Sequence, residues 1–175
     1  MAPLLLLTGF MGSGKTTVGR EVARRLGWGF LDLDRKIAAD AQKDLPTIFA
    51  EEGEAGFRKR ESTLLEEVVR RASPTEGLVV ALGGGTLIDP ANAALVKGRA
   101  WVVYLDIELE EAWKRVCRSD RPLAQNRKVF EQLLAERRPV YESVADLTIS
   151  VGEGALDSAS NQIVQHVRRG SEAGA

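Results

Sequence analysis

Residues 9–16 read Gly-Phe-Met-Gly-Ser-Gly-Lys-Thr and fill the pattern G-x-x-x-x-G-K-[S/T] with Gly9, Gly14, Lys15 and Thr16. The apolar run 4–7 before them fits a buried strand, and residues 17–26 after them fit a helix. Glycines let the backbone curl, so that N–H groups at a helix N-terminus face phosphate oxygens. A glycine-rich turn with a chance lysine is the alternative. The agreement of strand, loop and helix instead predicts a phosphate-binding loop.

Each position of this loop has an expected task. Lys15 would neutralise charge on the β- and γ-phosphates of ATP, and the hydroxyl of Thr16 would ligate Mg²⁺. The residues expected to contact ATP here are Met11, Gly12, Ser13, Gly14, Lys15, Thr16 and Thr17.

Composition limits the other possibilities. A chain of 175 residues with 44% hydrophobic and 28% charged residues is typical of one globular domain. The net charge of −1 argues against a bulk nucleic-acid or membrane surface. The single cysteine, Cys117, excludes an internal disulfide and suits a reducing cytoplasm. The apolar run 4–7 is too short for a membrane span and lacks the basic start of a signal peptide. We therefore expect a cytoplasmic protein. We also predict that it is a monomer.

Apolar strands alternate with helical segments along the chain. The predicted strands are residues 4–7, 30–34, 78–82, 100–105 and 147–151. This order predicts a three-layer α/β/α fold, with a five-stranded parallel sheet covered on both faces. Helices are expected over residues 17–26, over a stretch from Pro46 to Arg71 that Gly53 interrupts, over 108–118 and 129–144, and from Leu156 onward. We expect a single domain over residues 1–170 and a frayed tail over 171–175.

Acidic residues follow the second predicted strand. Asp32 and Asp34 are two apart, so on an extended strand they would share a face. The third strand offers no acid in Val80-Ala81-Leu82, so Asp32 is the nearest candidate to complete a Mg²⁺ site with Thr16. Asp34 could then orient a substrate hydroxyl or take its proton. The alternative is that either aspartate only caps the helix that follows.

Other polar motifs lie at the ends of later elements. The triple glycine Gly83 to Gly85 suggests close approach of backbone to a ligand, with a tight turn as the alternative. Arg58 and Glu61 are spaced i, i+3 and can touch on a helix, although such pairs usually lie on a solvated surface. Arg121 lies in a polar, proline-containing loop that could close over phosphates. Arg115 or Arg118 could flank the adenine.

Taken in order, these motifs resemble those of the shikimate kinase family. The shared marks are the loop G-x-x-G-S-G-K-[S/T], the D-x-D at 32–34, G-E-x-x-F-R-x-x-E at 53–61, G-G-G at 83–85, R-P-L at 121–123 and R-x-P-x-Y at 137–141. The loop alone would fit many kinases, whereas the ordered set is specific and covers residues 4–151. The resemblance implies the fold of nucleoside-monophosphate kinases, with substrate-binding helices at about 34–62 and a mobile lid at about 119–127.

The resemblance also implies a reaction: transfer of the ATP γ-phosphoryl group to the 3-hydroxyl of shikimate, with Mg²⁺, on the route to chorismate and aromatic amino acids. It assigns catalysis to Lys15, Asp34 and Arg121, the last acting on ATP from the lid. The residues it assigns to shikimate are Asp34, Arg58, Glu61 (supporting Arg58), Gly83, Gly84, Gly85 and Arg137. Arg137 is favoured over Arg138 because the family spacing is R-x-P.

Two other functions are consistent with the loop. A gluconate-type kinase would share the loop, but it would not be expected to carry both F-R-x-x-E and R-x-P-x-Y. A GTPase switch should show N-K-x-D and a D-x-x-G after the third strand, and the sequence has neither.

Overall fold

A parallel sheet forms the centre of the protein. The computed structural model describes residues 3–73, 75–117 and 126–172. The strands are β1 (Leu4–Thr8), β2 (Gly29–Asp32), β3 (Leu78–Ala81), β4 (Trp101–Asp106) and β5 (Leu147–Ser150). They pair in parallel in the order β2-β3-β1-β4-β5. The five-stranded parallel sheet predicted from the sequence is therefore confirmed.

Helices connect the strands. They are α1 (Lys15–Leu26), α2 (Leu33–Ala41), α3 (Leu45–Arg71), α4 (Pro90–Val96), α5 (Leu109–Val116), α6 (Arg127–Val144) and α7 (Leu156–Glu172). A short 3₁₀ turn, Thr86–Ile88, precedes α4. No helix among the described residues is long and apolar enough to cross a membrane.

The leucine run of β1 explains the layered architecture. All four leucines from Leu4 to Leu7 are fully buried. Successive side chains of a strand point to opposite faces. Leu5 and Leu7 accordingly join one core with α1, α6 and α7, whereas Leu4 and Leu6 join a second core with α2 and α3. A strand buried on both faces reads as a continuous apolar run, and this is why the run identified β1.

The topology places the loop after β1 and the triple-glycine turn at the carboxyl ends of the strands. β2 and β3 lie on one side of β1, and β4 and β5 lie on the other. The loop after β1 therefore begins where the neighbouring connections diverge, which is where such sheets bind ligands. The triple glycine follows β3 at the same edge, because the strands are parallel.

Several boundaries differ from the predictions. The second strand ends at Asp32, and Asp34 lies in the first turn of α2, so the expectation that the two aspartates share a strand face is wrong. Helix α4 was not predicted, although the Asp89 side chain caps it and Pro90 opens it. Helix α6 begins at Arg127, the last residue of the predicted lid. Helix α7 continues to Glu172, two residues into the predicted tail.

Helix α3 contains a kink at Gly53, where the sequence predicted an interruption. Gly53 has φ 69° and ψ −178°, a conformation that is almost exclusive to glycine. An ion pair spans the kink, because Arg60 donates from Nε and Nη2 to the two Glu52 oxygens at 2.8 and 2.7 Å. The kink separates two helical segments, residues 45–52 and 54–71, and both contribute side chains to the second core.

We expect Gly53→Ala to destabilise the protein by about 1–3 kcal/mol, because alanine must adopt this backbone conformation. An added Cβ would meet no described atom within 4 Å, so the cost is conformational and not steric. Urea unfolding measures it. Gly152→Ala is the matched control, since its Cβ also meets no described atom within 4 Å and its φ lies outside the left-handed range. Equal loss in the two variants would contradict the strain argument.

Candidate active site

The loop after β1 has the backbone that an anion site needs. Gly9, Gly12 and Gly14 have φ values of 142°, 84° and 87°, so three of its residues lie where side chains are disfavoured. At Gly9 an added Cβ would also lie 2.6 Å from the backbone oxygen of Leu105. Gly14 directly precedes α1, so the first amides of that helix face the loop. This arrangement suits a bound phosphate.

Lys15 places a cation at this loop. Its Nζ donates to the backbone oxygen of Gly9 at 2.8 Å and to that of Phe10 at 3.1 Å. The side chain therefore folds back along the loop instead of extending into solvent. In this position its charge lies beside the helix N-terminus, where phosphate charge would be neutralised.

Thr16 and Asp32 form the candidate metal site. Thr16 Oγ1 donates to Asp32 Oδ2 at 2.7 Å, while Asp32 Oδ1 accepts from the backbone N–H of Arg35 at 3.1 Å. Asp32 thus caps α2 with one oxygen and faces the loop with the other. The capping alternative and the metal-side interpretation are compatible, and of the two aspartates it is Asp32 that caps the helix. A hydroxyl and a carboxylate fit Mg²⁺, which takes few protein ligands and keeps water and phosphate oxygens.

The triple glycine is surrounded by the predicted substrate residues. A Cβ on Gly83 would lie 2.3 Å from Glu61 Oε1 and 2.9 Å from Asp34 Oδ1. A Cβ on Gly85 would lie 2.5 Å from Arg58 Nη1. Any larger residue would displace these side chains, so the turn owes its glycines to close packing.

Gly84 joins this turn to two further features. A Cβ on Gly84 would lie 3.6 Å from Arg137 Nη1 and 3.6 Å from the backbone oxygen of Gly9. The turn after β3 therefore lies beside the phosphate-binding loop, with Arg137 reaching it from α6. These contacts bring Arg137 to the turn that Arg58 and Asp34 also flank.

The Arg58–Glu61 pair is buried on its acidic side. Arg58 Nη1 lies 2.6 Å from Glu61 Oε2, and Glu61 is 1% exposed. The other oxygen of Glu61 accepts from the hydroxyl of Thr86. Burial acts to lower the pKa of Arg58, but the hydrogen bond and charge of Glu61 outweigh it and raise that pKa. The interpretation as a solvated surface pair is therefore wrong.

Arg137 and Arg138 contact different parts of the protein. Arg138 Nη2 donates to the Ile107 backbone oxygen at 3.1 Å and lies 3.3 Å from Asp106 Oδ1, so it anchors α6 to the end of β4. Arg137 instead lies beside Gly84 and Tyr141. The geometry favours Arg137 as the residue that faces the site, as the R-x-P spacing indicated.

Arg115 lies against the backbone of the nucleotide side. It donates to the backbone oxygens of Gly12 at 2.9 Å and Gly152 at 3.0 Å, and its Nε donates to Glu111 at 3.0 Å. It thereby ties α5 to the phosphate-binding loop and to the loop after β5. Arg118 and Arg121 lie outside the described residues, as does most of the predicted lid.

Comparisons with known proteins agree with this geometry. A family profile described as shikimate kinase matches residues 11–168. The shikimate kinase of Aromatoleum aromaticum is 47% identical over 156 residues, covering 86% of each chain. The shikimate kinase of Cupriavidus pinatubonensis is 39% identical, covering 94% of this chain and 86% of the relative. The chain belongs to the shikimate kinase family.

A solved shikimate kinase shows the same fold. The enzyme from Acinetobacter baumannii, in complex with shikimate, superposes with a TM-score of 0.89 at 38% identity. The alignment covers 97% of this chain and 95% of that one. The prediction of an α/β fold is therefore confirmed.

Two residues of the site were not singled out from the sequence. Thr86 bonds Glu61, 25 residues earlier in the chain, and follows the triple glycine directly. Tyr141 donates from its hydroxyl to the backbone oxygen of Gly84. Tyr141 ends the R-x-P-x-Y motif, which was a usable signal. Thr86 had only its position after the turn to indicate a role.

A cleft of about 850 Å³ lies away from this site. Its walls include Trp28, Leu31, Leu64 and Leu78, near the amino-terminal ends of β2 and β3. The phosphate-binding loop and the triple glycine are at the carboxyl ends of the strands. The predicted site residues therefore lie at the opposite ends of the strands from this cleft.

We expect Glu61→Gln to destabilise the protein by about 1.5–3 kcal/mol, the range for a hydrogen bond to a charged group. The amide keeps its size but removes the buried charge that faces Arg58. Urea unfolding at neutral pH measures the loss. Glu67→Gln is the matched control on the same helix, because Glu67 pairs with Arg71 at 2.9 Å with its side chain 39% exposed. That control should lose no more than about 1 kcal/mol. Equal losses would show that burial of Glu61 adds nothing.

Proposed function

We propose that this protein transfers the γ-phosphoryl group of ATP to the 3-hydroxyl of shikimate. The observation that carries the proposal is the contact between the phosphate-binding loop and the triple-glycine turn, where a Cβ on Gly84 would be 3.6 Å from both Gly9 O and Arg137 Nη1. A phosphate site and a cationic acceptor site thus share one edge of the sheet. Phosphoryl transfer requires mainly this kind of positioning, together with charge neutralisation.

The acceptor side suits a small hydroxylated carboxylate. Arg58 and Arg137 come from different helices and approach the same turn, where two guanidinium groups can hold a carboxylate. Asp34 lies at the same turn, beside Gly83, and can accept a hydrogen bond from a hydroxyl. Shikimate offers one carboxylate and three hydroxyls, and the A. baumannii relative was solved with shikimate bound. Glu61 would act behind Arg58.

The nucleotide side would hold ATP by its phosphates. In our proposal the loop amides from Met11 to Thr17 and the Lys15 ammonium bind the β- and γ-phosphates. Arg115 would contact the nucleotide at the adenine side, since it lies on the loop backbone. Mg²⁺, when bound, would neutralise phosphate charge, and Thr16 and Asp32 would hold it. We further propose that Arg121 closes from the lid onto the transferring group.

Asp34 would act on the acceptor hydroxyl. A carboxylate that accepts the hydroxyl hydrogen bond orients the oxygen toward phosphorus and can take the proton as the new bond forms. It lies in the first turn of α2, directly after the Asp32 cap. We also propose that the protein acts as a cytoplasmic monomer, in keeping with its single cysteine.

A coupled assay tests the proposed reaction. ADP release is measured with ATP, Mg²⁺ and shikimate, with gluconate, or with no acceptor, and the product is identified by NMR. Of the three reactions, we expect ADP release only in the one that contains shikimate. In its product, phosphorus should be attached to the 3-oxygen of shikimate. Turnover with gluconate and not with shikimate would assign the protein to another small-metabolite kinase. ADP release that is independent of any acceptor would indicate a nucleotide hydrolase.

We expect Asp34→Asn to lower kcat by at least ~10²-fold, the scale for losing a positioned acid–base group. The amide keeps the size of the side chain but cannot accept the proton. Steady-state kinetics with varied shikimate separate kcat from KM. Asp40→Asn is the control, because Asp40 lies on the same helix and pairs with Lys36 at the surface. A rise in the KM for shikimate without a fall in kcat would make Asp34 a binding residue only.

A further inference from the structure

Tyr141 is a fully buried phenol that the proposed reaction leaves without a task. It lies on α6 with no exposed surface, and its ring packs 5.2 Å from that of Tyr104. Its hydroxyl donates to the backbone oxygen of Gly84, in the middle of the triple-glycine turn. A buried phenol usually satisfies its hydroxyl wherever it can. This one is satisfied by the turn that flanks the acceptor site.

Arg137 contacts the same phenol from one helical turn earlier. Residues four apart on a helix lie on one face, so Arg137 and Tyr141 project together toward the turn. The Arg137 guanidinium lies near the phenol oxygen, and its charge acts to lower the pKa of Tyr141. Both groups converge on one point, since a Cβ on Gly84 would lie 3.6 Å from Arg137 Nη1 and 3.7 Å from Tyr141 Oη. The phenol oxygen and the guanidinium therefore meet the turn at the same glycine.

Arg58 and Arg137, the two arginines of the proposed acceptor site, have different neighbours. Arg58 is paired with the buried carboxylate of Glu61, which cancels much of its charge. Among the ion pairs of the described residues, none involves Arg137. The phenol beside it is neutral, because burial raises the pKa of Tyr141 to about 12 even though the charges of Arg137 and Arg58 act to lower it. No ion pair among the described residues therefore offsets the positive charge of Arg137.

We propose that Tyr141 is a positioning residue for the carboxylate of the substrate, holding the Arg137 guanidinium and the Gly84 carbonyl in register without neutralising the cation. The inference rests on the proposed function and adds to it different roles for the two arginines. Arg58, backed by Glu61, supplies a rigid hydrogen-bonding surface. Arg137, backed by a phenol, supplies net positive charge for an anionic substrate.

Tyr141→Phe tests the proposal, because it keeps the ring that packs on Tyr104 and removes only the hydroxyl. We expect the KM for shikimate to rise by about 3- to 10-fold, the effect of losing one neutral hydrogen bond. The KM for ATP and kcat should stay within about twofold of wild type, since no phosphate contact is altered. Tyr104→Phe is the matched control. Its hydroxyl is also buried but donates to Asp106 Oδ1 at 2.7 Å, so neither KM should change.

Two further measurements separate positioning from a core role. The first uses shikimate methyl ester, which lacks the negative charge: Tyr141→Phe and wild type should then have similar kcat/KM. The second is a double-mutant cycle, in which Tyr141→Phe should add little to the loss caused by Arg137→Ala. Any of four results would overturn the proposal. In the first, Tyr141→Phe lowers kcat/KM equally for the acid and the ester; in the second, the losses in the double-mutant cycle are additive. In the third, the Tyr141→Phe variant unfolds; in the fourth, its kcat falls while its KM values for both shikimate and ATP rise. A wild-type enzyme that turns over shikimate, with a Tyr141→Phe enzyme of unchanged KM, would overturn this inference and leave the proposed function standing.

Discussion

The buried carboxylate of Glu61 is the constraint on which the acceptor side depends. A carboxylate at 1% exposure is costly unless its charge is paired and its oxygens are hydrogen-bonded. Here one oxygen contacts Arg58 and the other accepts from Thr86. Because Arg58 lies on α3 and Thr86 follows the turn after β3, the carboxylate joins two elements that are distant in sequence. The turn must then pass so close to Glu61 that position 83 admits only glycine.

This packing also explains two of the three successive glycines that follow β3. A Cβ on Gly83 would meet Glu61 and one on Gly85 would meet the Arg58 guanidinium, whereas a Cβ on Gly84 would make only ordinary contacts with Arg137 and Tyr141. The entropy that glycines cost the folded chain is offset by the contacts they permit. The turn is therefore the place where α3, α6 and the phosphate-binding loop come together. A side chain there would separate the groups that we propose bind the substrate.

Structural features that local sequence patterns determine could be predicted. Features that depend on contacts between distant residues could not. The leucines of β1, the glycine loop before α1 and the break at Gly53 follow from periodicity and backbone chemistry. The position of Asp34 on α2 and not on the strand was missed because it depends on where the strand ends, and element boundaries are the least certain part of a sequence prediction. The link from Glu61 to Thr86 spans 25 residues, and no pattern in the sequence records it. Arg137 was chosen over Arg138 by resemblance; the reason in physical terms is that the end of β4 anchors Arg138.

The position of Asp32 couples the two halves of the proposed reaction. One oxygen accepts from Thr16 on the nucleotide side, and the other caps α2 through the Arg35 amide. Asp34 lies two residues further on, in the first turn of the helix that Asp32 caps. A cap fixes the direction in which a helix leaves its strand, so the loop that we propose binds phosphate and the carboxylate that would meet the acceptor hydroxyl share one connection through Asp32.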